Sequence, residues 1–238
     1  MRVSCARVEL AIFEETRGSA CESFSLAGWE LVHGNQALAG HVLKYDPEKE
    51  FQQSDHTLEN IFLALDRTFA HPDGASRAKE RMASYLVLDA VIGNTDRHHE
   101  NWGVLRRRTG GGWIGSLAPS YDHASSLGRE LADEGDGRSR RKLLNEGKIG
   151  HYVERGRGAI FWSAADKHPV SPLELVRRAA GEYPEAFRSA MALVQNLSRE
   201  RIENFVARVP SDWMSALARN FAVELMCFNV DALKRVAL

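Results

Sequence analysis

The residues of this chain with the strongest chemical potential lie in Gly93-Asn94-Thr95-Asp96-Arg97-His98-His99-Glu100-Asn101 and at Asp122. Asp96 and Asn101, five apart, offer a carboxylate and an amide from one loop. Between Asn101 and Asp122 lie two short β-like runs, Trp102–Leu105 and Trp113–Ala118, around Arg106–Gly112, with three glycines at 110–112 as the turn. A hairpin returns the chain to its origin, so Asp122 can come back beside Asn101. A carboxylate next to an attacking hydroxyl, with oxygen ligands for a hard cation such as Mg²⁺, is what phosphoryl transfer asks of a protein. The same residue types also favour helix ends and turns, and a capped helix followed by a turn is the competing reading. His98, His99 and His123 could alternatively bind a transition metal. Adjacent histidines point apart in most backbones, however, and His99 is expected at the surface.

The elements that must position these residues are mostly helical. Thr57–Phe69 is apolar at Leu58, Ile61, Phe62, Leu65 and Phe69, a helical stripe. Ser76–Ile92 repeats the pattern and stops at Gly93, directly before the loop. Residues 128–142 are charged and glycine-containing, which predicts a mobile surface segment. Its basic end, Arg138–Lys142, could recognise phosphate groups or simply be solvated. Pro172–Gly181, Pro184–Leu197, Arg199–Val209 and Ser211–Val236 read as helices, the last capped by Ser211 with Asp212. Upstream, Arg7–Glu14 and Ser19–Leu26 read as strands joined by a turn at Arg17-Gly18. Two strands alone are unstable, so this hairpin must pair with something. All five tryptophans, including Trp102 and Trp113, read as packing residues.

Bulk properties set limits. The formal net charge is -1, so no global field favours nucleic acid or an acidic membrane. Three scattered cysteines, Cys5, Cys21 and Cys227, supply neither a disulfide framework nor a zinc site. No apolar run approaches the ~18 residues that span a bilayer, and the first residues lack a signal-peptide core. A cytoplasmic protein is expected.

Asp96-Arg97-His98, two residues, Asn101, and then Tyr121-Asp122 resemble the C-terminal lobe of HipA-like serine/threonine kinases. In that family the loop reads Asp-x-His-x-x-Asn, and the metal-binding aspartate follows Leu-x-Pro-x-Tyr. Leu117-Ala118-Pro119-Ser120-Tyr121-Asp122 matches the latter. The loop is also similar to the Gly-Asp-Arg-His-x-x-Asn loop of phosphoinositide 3- and 4-kinases, which share the kinase-like fold. The resemblance implies an α+β, mostly helical fold. Residues 36–238 would form a kinase-like C-terminal lobe with a helical bundle. Residues 1–35 would be a hairpin and hinge from an incomplete N-lobe.

It further implies ATP and Mg²⁺ as cofactors. Asp96 would be the catalytic base, and Asn101 and Asp122 the Mg²⁺ ligands. His98 would support the loop or contact phosphate. Glu22-Ser23-Phe24 would be the hinge facing adenine, and Tyr121 would stand at the nucleotide site. The implied activity is transfer of the γ-phosphate to a serine or threonine hydroxyl of a protein substrate. In this family that activity often belongs to a toxin beside a DNA-binding antitoxin.

The family's phosphate-covering loop, strand lysine and helix glutamate precede the hinge. Residues 1–22 contain no lysine, and Lys44 falls after the hinge, where it reads as a solvated charge. Two alternatives therefore stand. One is a truncated or degenerate lobe acting as a binding module, or completed by an N-lobe polypeptide. The other is a small-molecule or phosphoinositide-type kinase.

Overall fold

The computed structural model describes residues 3–49, 51–135 and 137–236. Strands β1 (Val8–Phe13) and β2 (Thr16–Cys21) pair antiparallel, with Phe13 opposite Thr16. The connecting turn is Glu14-Glu15, both residues having positive φ (45° and 67°). Two such residues give a turn whose twist matches that of the strands. Arg17 and Gly18, expected as the turn, lie inside β2 opposite Ile12 and Ala11. Strand β2 ends at Cys21, so Glu22-Ser23-Phe24 is irregular rather than a strand. The hairpin forms a sheet of its own and leaves Val8, Leu10 and Ile12 exposed along one face.

A second sheet has the order β3 (Glu30–His33), β4 (Gly103–Thr109), β5 (Gly112–Leu117), all antiparallel. Strand β3 carries no sequence signal, because four residues are too short to show a period. Gly110-Gly111 closes the β4–β5 turn. Arg106–Arg108, expected as loop, belong to β4. The guanidinium of Arg106 stacks over Trp113 (4.5 Å) and that of Arg107 over Trp29 (5.1 Å). Trp113 is therefore no core residue, whereas Trp102 is fully buried.

Helix α1 (Gly34–His41) follows β3 directly and crosses residues 35–36, where the sequence suggested a division. Helices α2 (Leu58–Thr68) and α3 (Pro72–Ile92) come next. Thr57 caps α2 by accepting the Asn60 N–H (3.1 Å). Helix α3 buries Ala78, Met82, Tyr85, Leu86 and Ala90 and packs against α2, α6 (Pro172–Glu182), α7 (Pro184–Gln195) and α9 (Ala216–Lys234). A helix buried on most of its circumference is central to its bundle. Its C-terminus therefore provides a rigid platform for the loop that begins at Gly93.

The described part of the charged segment, residues 128–135 and 137–142, is tethered rather than mobile. Helix α4 (Arg140–Asn145) starts within it, capped by Ser139. Arg140 donates to the Asp133 carboxylate (2.8 Å) and to the Gly128 carbonyl (2.9 Å), while Leu131 and Leu143 are buried. Asp136 lies outside the described residues. Helices α5 (Ile149–Arg155) and α8 (Arg199–Val206) complete the set. The last helix starts later than expected, capped by Ser215 through the Ala218 N–H (3.0 Å). Among the described residues, no helix is long and apolar enough to cross a membrane.

Candidate active site

Helix α3 stops at Gly93 in the left-handed conformation (φ 64°), and the Asn94 N–H turns back to the Asp89 carbonyl (2.9 Å). Asp89, in the last turn of the helix, holds Arg97 through two bonds of 2.7 and 2.8 Å. Both side chains are 3% exposed. Burial disfavours the guanidinium charge, but the Asp89 carboxylate outweighs it and the Arg97 pKa is raised. The other N–H groups of Arg97 reach the Asn101 carbonyl (2.5 Å), the Tyr121 carbonyl (3.2 Å) and the Ser120 hydroxyl (2.9 Å). One buried guanidinium thus ties the central helix, the loop and the strand exit that leads to Asp122. Residues 4–6 brace the same exit, since Ser120 N–H donates to the Ser4 carbonyl and Ala6 N–H to the Ser120 carbonyl (both 2.8 Å).

Asp96 is half-buried. Its Oδ2 accepts the Ser125 hydroxyl at 3.2 Å, and its N–H donates to Asn94 Oδ1 (3.2 Å). Its carbonyl accepts the Asn101 Nδ2–H (2.8 Å). That bond fixes the amide orientation, and no described residue donates to Asn101 Oδ1. Asp122 is exposed, with positive φ (50°), and only the Ala124 N–H approaches its Oδ1 (3.4 Å). A non-glycine residue held there is strained and over-determined by its surroundings, a pattern that clusters at functional sites. An amide oxygen and a carboxylate with open valences fit Mg²⁺, which takes one or two protein ligands and fills the rest with phosphate oxygens and water.

Tyr121 and His33 clamp the far side of the loop. The Tyr121 hydroxyl donates to the Glu100 carbonyl (2.6 Å), and His33 Nδ1 lies 3.0 Å from the same oxygen. Burial raises the Tyr121 pKa, so the phenol remains a donor. Its ring stacks on Phe24 (5.4 Å between centroids), which brings the expected hinge against the segment preceding Asp122. The Glu22 N–H is committed to the Arg7 carbonyl (2.9 Å) and its carboxylate lies 3.6 Å from Arg7. The N–H and C=O of Phe24 have no hydrogen-bond partner among the described residues. His98 accepts the Glu100 N–H at Nδ1 (3.2 Å) and so supports the loop.

His99, expected at the surface, is 2% exposed. It turns inward as His98 turns outward, and its Nδ1 lies 2.7 Å from the Tyr45 hydroxyl. Behind it, His56 accepts the Trp102 Nε1–H at Nε2 (3.2 Å) and donates Nδ1–H to the Ala159 carbonyl (3.0 Å). Burial pushes the His56 pKa down to about 3, so it is neutral. His123 bonds instead to Ser120 (2.8 Å). The three histidines thus enter separate networks, and among the described residues no group of three or more His, Cys, Asp or Glu could hold a metal ion. The start of α1 seals this layer: Gly34 and Asn35 donate to the Trp102 and His99 carbonyls (2.8 and 2.9 Å). A Cβ at Gly34 would sit 2.2 Å from the Trp102 ring and 2.5 Å from the His99 carbonyl, so this contact requires glycine.

Asp89, Gly34, Tyr45 and His56 escape a reading based on reactive residues. Asp89 alone carries a sequence signal, an acid in the last apolar turn of a helix eight residues before an arginine.

A family model described as the HipA-like C-terminal domain matches residues 3–213. The crystal structure of a Helicobacter pylori proinflammatory kinase, CtkA, superposes with a TM-score of 0.75 at 18% identity. The match covers 98% of this chain and 76% of that one. At that identity the likeness shows the fold, which is kinase-like. A comparison with curated protein sequences finds no match.

Proposed function

Because the chain belongs to the HipA-like C-terminal domain family, we propose that it transfers the γ-phosphate of Mg·ATP to a serine or threonine hydroxyl. The observation that carries the reading is the site around Arg97, which joins the Asp96–Asn101 loop to the segment bearing Asp122. Asp96 accepts the proton of the attacking hydroxyl, and it already accepts a hydroxyl hydrogen bond from Ser125 at 3.2 Å. Asn101 Oδ1 and the Asp122 carboxylate would hold Mg²⁺, which when bound would neutralise charge on the transferring phosphates. Adenine meets the open N–H and C=O of Phe24, beside Tyr121. His98 and Tyr121 keep the loop in place rather than touching the nucleotide. The exposed free thiols of Cys5 and Cys21 suit a reducing cytoplasm.

Calorimetric titration with Mg·ATP tests the nucleotide site. Binding should weaken in Asn101→Ala and Asp122→Ala and persist in Asp96→Ala. No heat at millimolar Mg·ATP would remove the kinase reading and leave a non-catalytic module.

One observation favours a partner. Among the described residues the β1–β2 sheet has no third strand, and it exposes Val8, Leu10 and Ile12 together. A covering polypeptide, either a complementing N-lobe or an antitoxin of the family's kind, fits that face. A sharper nucleotide titration in the presence of such a polypeptide would support it.

A further inference from the structure

We infer that the acceptor is an acidic peptide segment, drawn across Asp96 by Arg155 and Arg157. This names the substrate class of the phosphotransfer site and rests on that reading. Two clefts meet at the loop and share Thr95 and Arg157 as walls. One, of about 300 Å³, contains Ser125, the hydrogen-bond partner of Asp96. The other, of about 420 Å³, contains Asp96 itself. An extended peptide rises ~3.3 Å per residue, so a hydroxyl placed at Asp96 sends its neighbours into both clefts.

The two clefts differ in chemistry. The smaller presents Arg138, Arg155 and Arg157 against one carboxylate, Glu130. Glu130 already accepts the Tyr152 hydroxyl (2.8 Å) and lies 3.8 Å from Arg138, which stacks over the Tyr152 ring. The guanidinium groups of Arg155 and Arg157 have no hydrogen-bond or ion-pair partner among the described residues. These two uncompensated cations, of which Arg157 shares the larger cleft with Asp96 and Arg155 lines the adjoining one, are the local exception in a chain whose formal charge is -1.

The inner wall of the cleft adds a second observation. Asn229 is wholly buried there, and its Nδ2 donates to the Val91 carbonyl (3.2 Å), while its Oδ1 has no hydrogen-bond partner. Buried acceptors are rarely left unpaired. A peptide N–H, directly or through a water, supplies the donor.

The larger cleft offers Phe51, His168, Pro169 and Phe161, a mainly apolar wall with Phe51 81% exposed. The acceptor sequence read by this surface carries carboxylates on one side of the hydroxyl and an apolar side chain on the other.

The test measures fluorescence anisotropy without nucleotide. The probes are labelled serine peptides flanked by glutamates or by lysines. The glutamate peptide should bind more tightly, and Arg155→Glu/Arg157→Glu should weaken it by ~10-fold or more and remove the preference. Arg188→Glu, remote on α7, should leave binding unchanged, and an unchanged melting curve of the double variant excludes misfolding. Equal binding of the two peptides, or a preference that survives the double reversal, overturns the inference. So does an oligonucleotide that displaces the acidic peptide with the same arginine dependence.

Because nucleotide is absent, arginine-dependent binding without phosphoryl transfer would sink the kinase reading alone. Phosphorylation of lysine-flanked peptides as readily as glutamate-flanked ones would sink the acidic specificity alone.

Discussion

Acid should loosen the Asp96–Asn101 loop from beneath, through His56. Folded, His56 is neutral with a pKa of about 3, because burial disfavours the imidazolium. Unfolded, an exposed histidine titrates near ~6.5. Between these values the unfolded chain binds the extra proton, so stability is intact above about pH 6.5 and falls as pH drops towards 3. At pH 5 the loss amounts to about 2 kcal/mol relative to pH 7, set mainly by the unfolded pKa. Protonation also removes the Nε2 lone pair that accepts from Trp102, which begins the hairpin leading to Asp122. His123, whose pKa burial also lowers, acts in the same direction. The assay is urea unfolding followed by tryptophan fluorescence at pH 7 and pH 5, on the wild type and His56→Gln. Glutamine can accept from Trp102 and donate to Ala159 without titrating. The wild type should lose about 2 kcal/mol more than the variant on acidification, while the His123 contribution cancels. Equal losses would refute the buried neutral imidazole.

Arg97→Met leaves Asp89 charged and unpaired in the core, and should cost about 3–5 kcal/mol in urea unfolding. A cost below about 1 kcal/mol would show that the pair does not organise the loop. Gly34→Ala drives a methyl into the Trp102 ring and the His99 carbonyl and should cost about 1–3 kcal/mol, seen as a lowered melting temperature. Phosphoryl transfer in that variant should fall more than stability alone explains, since the displaced carbonyl belongs to the loop. Asp96→Asn keeps the volume and removes the proton acceptor, so turnover should drop about 10²–10⁴-fold with Mg·ATP affinity retained.

What the sequence discloses is the part that chemistry constrains. Asp96, Asn101 and Asp122 stand out as candidates because few residue types suit the proposed chemistry and a hairpin must return the third to the other two. The long helices are legible because α2 starts and α3 stops at signals, Thr57 and Gly93, that have local causes. Strand β3 and helix α1 are not legible, since a four-residue strand and the short helix after it show no period. The hairpin turn hides at Glu14-Glu15 because neither residue advertises positive φ as Arg17-Gly18 does. Segment 128–142 reads as loose from its charge, yet Arg140 fastens it through Asp133 and Gly128, partners that composition cannot reveal. His99 shows the same limit. One side chain of an adjacent pair must face inward, and only the cavity made by Tyr45, His56 and Trp102 decides which.

Transfer of label from γ-³²P Mg·ATP to a serine peptide by the protein, side by side with Asp96→Ala and Asp122→Ala, tests the central claim most directly. Incorporation should appear in the wild type, vanish in both variants, and require Mg²⁺, with unchanged unfolding curves. Incorporation that survives loss of the Asp96 carboxylate, or a wild type that binds Mg·ATP and transfers nothing, would contradict the assignment of this site to phosphoryl transfer.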